Sequence, residues 1–165
     1  MNHTSTDLLP LATRALTIGV VAGLRSMTPL AILALRRDST PSNARWRDWP
    51  VLNSGKGRGG LIVSGLGEVV GDKLPATPSR LKLLPLMGRM TFGGVAGAAI
   101  GSESNGTQPM LIGALIGAIG GLMGSFAGYH VRHAIVSGTK IPDLVVALGE
   151  DAIAIALTAH ATRLD

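Results

Sequence analysis

The sequence contains no cysteine and has few aromatic residues. Without cysteine, the chain can form no disulfide, no catalytic thiolate and no cysteine-ligated zinc or iron–sulfur site. Two Trp, two Phe and one Tyr are too few to build the bulky core of an ordinary soluble domain. The four histidines show no HxxxH or HxH spacing. We therefore expect no metal site and no cofactor.

The familiar catalytic motifs are also absent. No GxSxG, P-loop or HExxH pattern occurs. "GLGEVVG" at 65–71 resembles a dinucleotide fingerprint, but its spacing is wrong by one residue and no βα unit precedes it. The formal charge is +5, yet no basic face with interleaved aromatic residues appears, so we expect no nucleic-acid partner.

Apolar residues and glycine are abundant instead. Hydrophobic residues make up 46% of the chain, the mean hydropathy is +0.37, and there are 23 glycines. A helix needs about 20 apolar residues to cross a bilayer. By this measure three of the five apolar segments are long enough, 83–101 is borderline and 59–72 is too short. The segments are 9–35, 59–72, 83–101, 109–136 and 142–162.

These segments predict the fold class. We expect an all-α, multi-pass membrane protein, a single domain over 1–165 with about five transmembrane or partly broken helices. The N-terminus lacks the basic region and cleavage site of a secretory signal, so the first segment is expected to be retained. In a bacterium, the protein would lie in the inner membrane.

The polar, basic loop 37–58 is the only long loop, and its Trp46 and Trp49 would suit a lipid headgroup boundary. Orientation should follow from the distribution of Lys and Arg. With five crossings, however, the two sides carry equal numbers. One side has Arg36, Arg37, Arg45, Arg47, Lys56, Arg58 and Arg163; the other has Arg14, Lys73, Arg80, Lys82, Arg89, Arg132 and Lys140. This balance leaves two alternatives. Either the protein inserts in both orientations, or some basic residues in 73–89 serve a site and should not be counted, and the arginine-rich loop after residue 35 is then expected to be cytoplasmic.

Glycines recur at intervals of four residues within the apolar segments, an arrangement that lets helices approach closely in lipid. The same glycine faces would also suit a homodimer. The glycines to which we assign this structural role are Gly93, Gly97, Gly117, Gly121 and Gly124.

Short matches between the two halves of the chain suggest an inverted repeat. "SGLGE" (64–68) is echoed by "VALGE" (146–150), and "AGLRSM" (22–27) by "AGYHVR" (127–132). The half-repeats would span 9–80 and 109–162 in opposite orientations. Their acidic motifs would then meet near the membrane midplane.

Several charges interrupt the apolar segments, where each costs a few kcal/mol and needs a partner or water. Arg25 precedes Pro29, which can break the helix, and we expect Arg25 to pair with Glu68 or Asp72. In the second half, Glu150 and Asp151 would pair with a cation from the segment that holds His130, Arg132 and His133. The alternative is that such pairs only hold the helices in register.

The short second segment is interpreted as one half of a discontinuous helix that ends inside the protein. The following "KLPATPSR" would continue as extended chain, because Pro75 and Pro78 disfavour helix. An irregular backbone inside the membrane is expected to line a polar cavity. Lys73, Arg80 and Arg89 would bind an anion at the mouth of this cavity. Glu68 and Asp72 would instead bind a cation or carry protons.

Three stretches resemble a bacterial membrane-protein family that is catalogued as domain-of-unknown-function family 4126. They are "GLRSMTPLA" (23–31), "GEVVGDKLPATPSR" (67–80) and "GRMTFGG" (88–94). The resemblance implies a small multi-pass membrane protein without an assigned activity. It gives added weight to one set of residues: Arg25, Glu68, Asp72, Lys73, Pro75, Pro78, Arg80 and Arg89.

Three functional hypotheses follow. The first is a transporter-like or channel-like protein that moves a small ion or solute through a charged site between two inverted halves. The second is a membrane-embedded enzyme that acts on a lipid-linked phosphate, with "DKLPATPSR" as its site and Mg²⁺ held by acidic residues. The third is a non-catalytic membrane scaffold whose charges are structural. Of the three, the first is preferred, with a pathway formed by Arg25, Glu68, Asp72, Lys73, Arg80, Arg89, Glu150 and Asp151.

Overall fold

A computed structural model describes residues 4–39, 44–71 and 81–162, with side chains from residue 10 onward. These residues contain seven α-helices, two short 3₁₀ turns and no strand. The 3₁₀ turns span Arg37–Ser39 and Arg45–Asp48. The helices are α1 (Thr4–Leu24), α2 (Thr28–Arg36), α3 (Pro50–Asn53), α4 (Gly55–Gly71), α5 (Leu83–Gly101), α6 (Thr107–Gly138) and α7 (Asp143–Ala161). The predicted all-α class is confirmed.

Three of the helices, α5, α6 and α7, are long and apolar enough to cross a membrane. At about 1.5 Å per residue, the 19 residues of α5 and of α7 each span about 28 Å, close to the thickness of the hydrocarbon core. Leucine, isoleucine and valine side chains are exposed along these helices, as they are where a helix faces lipid. The chain is therefore an integral membrane protein.

The centre of the bundle is formed by α1, α5 and α6, which approach one another at glycines. Gly117 of α6 lies against Gly93 of α5 on one side and Gly19 of α1 on the other. A Cβ atom at Gly117 would overlap the carbonyl oxygen of Gly93. Close backbone approach therefore requires glycine at this position.

The same contacts set the helix directions. Gly19 faces Gly117 and Gly23 faces Gly121, so α1 and α6 run parallel. Gly97 faces Gly113, whereas Gly93 faces Gly117, so α5 and α6 run antiparallel. An inverted repeat that equates α1 with α6 requires these two helices to point in opposite directions. The helix directions therefore do not support the repeat at this pair.

The first apolar segment does not cross the bundle but turns back within it. Midway along α1, Arg14 Nε donates to the carbonyl oxygen of Ala161, at the end of α7. Just after α1, Arg25 reaches Asp151, in the middle of α7. At the end of α2, Arg36 Nη1 donates to Ala159, again at the end of α7. Helices α1 and α2 thus form a re-entrant hairpin, which corrects the predicted crossing over 9–35.

The hairpin turns at residues 25–27, between the last residue of α1 and the first of α2. Pro29 lies in the first turn of α2, where its missing N–H leaves no helical hydrogen bond unmade. The helix break expected beside Arg25 is therefore present, and Pro29 belongs to the returning helix.

The second segment was interpreted as one half of a discontinuous helix that ends inside the protein. Helix α4 is continuous from Gly55 to Gly71, a few residues longer than the predicted segment at its start. It runs antiparallel to α2, since Gly65 faces Ala31 and Glu68 reaches the hairpin turn. It ends about one turn beyond Glu68. Residues 72–80 lie outside the described residues, and the extended chain predicted there is not tested.

The loop between α2 and α4 forms one face of the bundle, which we call the connector face. Helices α2, α5 and α7 end at this face. The opposite face, where α6 ends and α7 begins, is called the far face. Trp46 was expected at the lipid headgroups, but it is buried, and its Nε1 donates to Glu103 at 3.1 Å. Trp49 is half-buried.

A charged cluster at the hairpin turn

Glu68 of α4 binds the backbone at the start of the returning helix. Its carboxylate accepts hydrogen bonds from the N–H groups of Ser26 at 2.6 Å and Met27 at 2.8 Å. These residues immediately precede α2, and the first N–H groups of a helix have no partner within it. The N-terminus also carries a partial positive charge. The hairpin turn therefore holds an anionic group, supplied by the protein itself.

Arg89 of α5 binds the other helix end at the turn. Its Nη1 donates to the carbonyl oxygens of Gly23 and Leu24, both at 2.8 Å. These are the last residues of α1, where carbonyls lack helical partners and the dipole is negative. The second guanidinium nitrogen, Nη2, lies 3.9 Å from Glu68 Oε1. Arg89 and Glu68 thus complement the two helix ends and face each other.

Arg25 lies in the turn itself and is fully buried. Its Nε is 2.6 Å from Oδ1 of Asp151, which is 8% exposed. On the adjacent helix α6, Ser125 Oγ donates to Gly121 at 2.7 Å and lies 3.4 Å from the Gly23 carbonyl oxygen. The turn is therefore surrounded by polar groups in an otherwise apolar bundle.

We call Arg25, Glu68, Arg89 and Asp151 the tip cluster. Its four side chains come from the hairpin turn, α4, α5 and α7, and its formal charges cancel. Asp151 is eight residues from the start of α7 and ten from its end, so the cluster lies near the middle of the bundle. Charges at this depth are costly in lipid and are retained only when paired or in contact with water.

The tip cluster contains four of the eight residues predicted for the pathway, but with different pairings. Arg25 was expected to pair with Glu68 or Asp72. The structure pairs it with Asp151, and Asp72 lies outside the described residues. Glu68 instead binds backbone N–H groups. The reason is the reversal of the chain at Arg25, which brings α7 beside the hairpin.

Arg89 was expected at the mouth of a cavity, but it caps a buried helix end. The remaining predicted residues of this region, Asp72, Lys73, Pro75, Pro78 and Arg80, lie outside the described residues.

Glu150, the eighth predicted residue, lies in a separate cluster near the far face. Arg132 Nη1 is 3.5 Å from Glu150 Oε2. The same guanidinium makes a bidentate contact with Asp143, at 2.8 and 2.6 Å. Arg132 was among the expected cations, whereas the sequence analysis missed Asp143. Its position directly after Pro142, at the start of an apolar helix, is a signal that could have identified it.

An apolar groove of about 480 Å³ lies beside this second cluster, between α1, α6 and α7. Leu24 lines the groove next to the hairpin turn, and Arg132 and Glu150 lie along it. Because its other lining side chains are almost entirely apolar, the groove is no aqueous path to the tip cluster.

A third set of charges, which the sequence analysis also missed, lies at the connector face. Arg14 Nη1 is 2.7 Å from Glu103 Oε2, and Glu103 also accepts the Trp46 hydrogen bond. Arg36 donates to the Thr162 hydroxyl at 3.0 Å as well as to Ala159. We call Arg14, Arg36, Trp46 and Glu103 the connector-face cluster. Burial raises the pKa of Glu103, and the Arg14 charge opposes that shift.

No group of three or more His, Asp or Glu side chains in the described ranges is placed to hold a metal ion. The two helix ends at the hairpin turn present backbone N–H and carbonyl groups of the kind that bind ions. In this structure Glu68 and Arg89 fill them.

Comparison with known proteins identifies one family. A family model described as "Domain of unknown function (DUF4126)" matches residues 12–164, nearly the whole chain. No curated protein matches the chain, and no solved structure does. The match includes α5, α6, α7 and every residue of the tip cluster.

Proposed function

The chain belongs to the DUF4126 family, and we propose that it is a membrane transport protein that moves a small ion or solute, with the tip cluster as its binding site. The observation that carries this proposal is the re-entrant hairpin, whose turn brings two helix ends and four ionisable side chains together near the middle of the bundle. Broken helices with such ends are the usual ion and substrate sites of secondary transporters.

The cost of the buried charges supports a functional role. Ion pairs inside a protein seldom stabilise it more than well-packed apolar residues of similar size would. If the hairpin had only a structural role, apolar side chains at its turn would therefore serve as well as charged ones. Four charges near the midplane are better explained by a group that must be bound there.

The two helix ends suggest how an ion would be held. The N–H groups of Ser26 and Met27 bind a carboxylate now, and they would bind a small anion in the same way if Glu68 withdrew. The carbonyl groups of Gly23 and Leu24 would hold a cation if Arg89 withdrew. Each end is selective for one sign of charge.

Helix α4 is the element best placed to move. It packs mainly on α2 and α3, whereas α5 is held by glycine contacts to α6. A shift of α4 would withdraw Glu68 from the hairpin turn without repacking α1, α5 and α6. We therefore propose that α4 opens the site.

A membrane scaffold is the second candidate, and it is favoured by one observation. Each charge of the tip cluster already contacts an opposite charge or helix end within the protein. In a scaffold, the tip cluster would only hold the hairpin in its place in the bundle. The phosphate-acting enzyme has no support from the described residues, because its whole candidate segment, 72–80, lies outside them.

The test is ion flux into liposomes that contain purified protein, measured with a panel of small anions, cations and protons. Glu68→Gln keeps the shape of the side chain and removes its charge, and Glu103→Gln makes the same change in the connector-face cluster. We expect selective flux in the wild type, a fall of about tenfold or more in Glu68→Gln, and little change in Glu103→Gln.

Absence of flux for every tested solute from folded wild-type protein would favour the scaffold. Equal flux in the wild type and in Glu68→Gln would remove the tip cluster from the pathway. Folding of each variant is checked by size-exclusion chromatography in detergent.

A further inference from the structure

Basic residues are distributed unevenly between the two faces of the bundle. In the described residues the connector face carries seven: Arg14, Arg36, Arg37, Arg45, Arg47, Lys56 and Arg58. The far face carries three: Lys82, Arg132 and Lys140. The other two, Arg25 and Arg89, are buried in the tip cluster.

The re-entrant hairpin creates this difference. With five crossings, Arg14 is assigned to the side opposite the long loop. The structure places it on the connector face instead, hydrogen-bonded to Ala161 and paired with Glu103. Arg89 no longer counts as a loop residue, because it lies inside the bundle. Lys73, Arg80 and Arg163 lie outside the described residues and are not counted.

Several basic residues of the connector face are accessible to a lipid surface. Arg45 and Lys56 are exposed, and Arg37 and Arg58 share a single carboxylate, that of Asp38. These two guanidinium groups hold the pKa of Asp38 below its ordinary value. Exposed basic residues are attracted to an anionic leaflet, and short cytoplasmic loops carry an excess of Lys and Arg.

We infer that the connector face is the cytoplasmic face, where its basic residues meet anionic lipid headgroups. The hairpin then enters the membrane from the cytoplasm and returns to it, and the far-face loop between α6 and α7 is external. This topology does not depend on transport activity.

The cysteine-free chain allows a direct test by single-cysteine labelling. Ser5→Cys marks the first turn of α1, Ser54→Cys the connector and Asn105→Cys the turn between α5 and α6. Ser137→Cys marks the last turn of α6 at the far face. Each variant is treated with a membrane-impermeant maleimide, first in intact bacterial spheroplasts and then after detergent permeabilisation. The wild type, which has no thiol, is the control for background.

We expect Ser137→Cys to be labelled in intact spheroplasts and the other three variants only after permeabilisation. The reverse pattern would overturn the orientation. Labelling of all four variants in intact spheroplasts would mean insertion in both orientations and would overturn it as well. Labelling of Ser5→Cys but not Ser54→Cys in intact spheroplasts would place the two ends of the hairpin on opposite sides, and would thus exclude the re-entrant hairpin.

Discussion

The tip cluster and the connector-face cluster use the same chemistry at different depths. In each, arginines donate to carbonyls at the end of a helix: Arg89 at the end of α1, and Arg14 and Arg36 at the end of α7. In each, a carboxylate lies beside an arginine. The clusters therefore differ mainly in position.

The depth of a charge in the bundle decides whether it needs a functional explanation. Arg14 is partly exposed, with 27% of its side chain accessible, and it lies at a face that meets water and lipid headgroups. The Arg14 charge therefore costs little, although its partner Glu103 is buried enough for its pKa to be raised. Arg25, in contrast, is fully buried near the middle of the bundle. A charge at that depth has to be either functional or closely matched by its partner.

The largest effect should come from separating Arg25 from Asp151. Arg25→Met leaves the Asp151 carboxylate buried without its guanidinium partner, and should lower the free energy of unfolding by about 3–5 kcal/mol. The double variant Arg25→Met/Asp151→Met removes both charges. It should recover most of the lost stability while it abolishes ion flux. Stability is measured by SDS titration in mixed micelles, followed by circular dichroism.

Recovery of both stability and flux in the double variant would show that the pair is structural. The matched comparison is Arg14→Met at the connector face, where we expect a smaller loss, because Arg14 is partly exposed and Glu103 keeps its hydrogen bond from Trp46.

An intermediate effect is expected from the glycine contacts between α5 and α6. In Gly117→Ala the new methyl group would overlap the carbonyl of Gly93, and the helices would have to separate. We expect a loss of about 1–3 kcal/mol by the same SDS titration. Gly67→Ala is the control, since a Cβ there meets no atom within 4 Å. It should be neutral, or stabilising by up to about 1 kcal/mol, because alanine favours helix. Equal losses in both variants would argue against close packing at Gly117.

The smallest effect is expected at Glu103, and it depends on pH. Burial raises the pKa of Glu103 in the folded protein. The folded state therefore holds this proton more tightly than the unfolded state does. This contribution to stability is present at low pH and is lost as the pH rises from the unfolded pKa through the folded one. Glu103→Gln should flatten that part of the stability–pH curve, with a change of about 1 kcal/mol or less at neutral pH. An unchanged slope would mean that Glu103 does not titrate as a buried group.

Much of the architecture could be predicted from residues alone. The apolar segments at 83–101, 109–136 and 142–162 correspond closely to α5, α6 and α7. Arg25, Glu68, Arg89 and Asp151 were identified as functional candidates because charges in apolar segments are rare. The break beside Arg25 was expected from Pro29.

The pairing of these charges could not be predicted in the same way. Glu68 and Asp72 were natural partners for Arg25 by proximity in sequence, whereas Asp151 is 126 positions away. Ion-pair choice depends on which helix lies beside the turn, and no local pattern encodes that. The orientation remained undecided for the same reason, because the side on which Arg14 lies depends on the path of the chain.

The sequence by itself determined that this is a helical membrane protein with glycine-rich helices and a small set of buried charges, because hydropathy, length and residue type act locally. Only the tertiary structure decided that the first segment turns back at Arg25, that the distant Asp151 meets it, and that Glu68 and Arg89 occupy the helix ends. After a helix break such as the one at Arg25, the next helix can either continue across the membrane or turn back towards the face from which the chain came. The choice between them is made by packing against α4 and α7, which are distant in sequence.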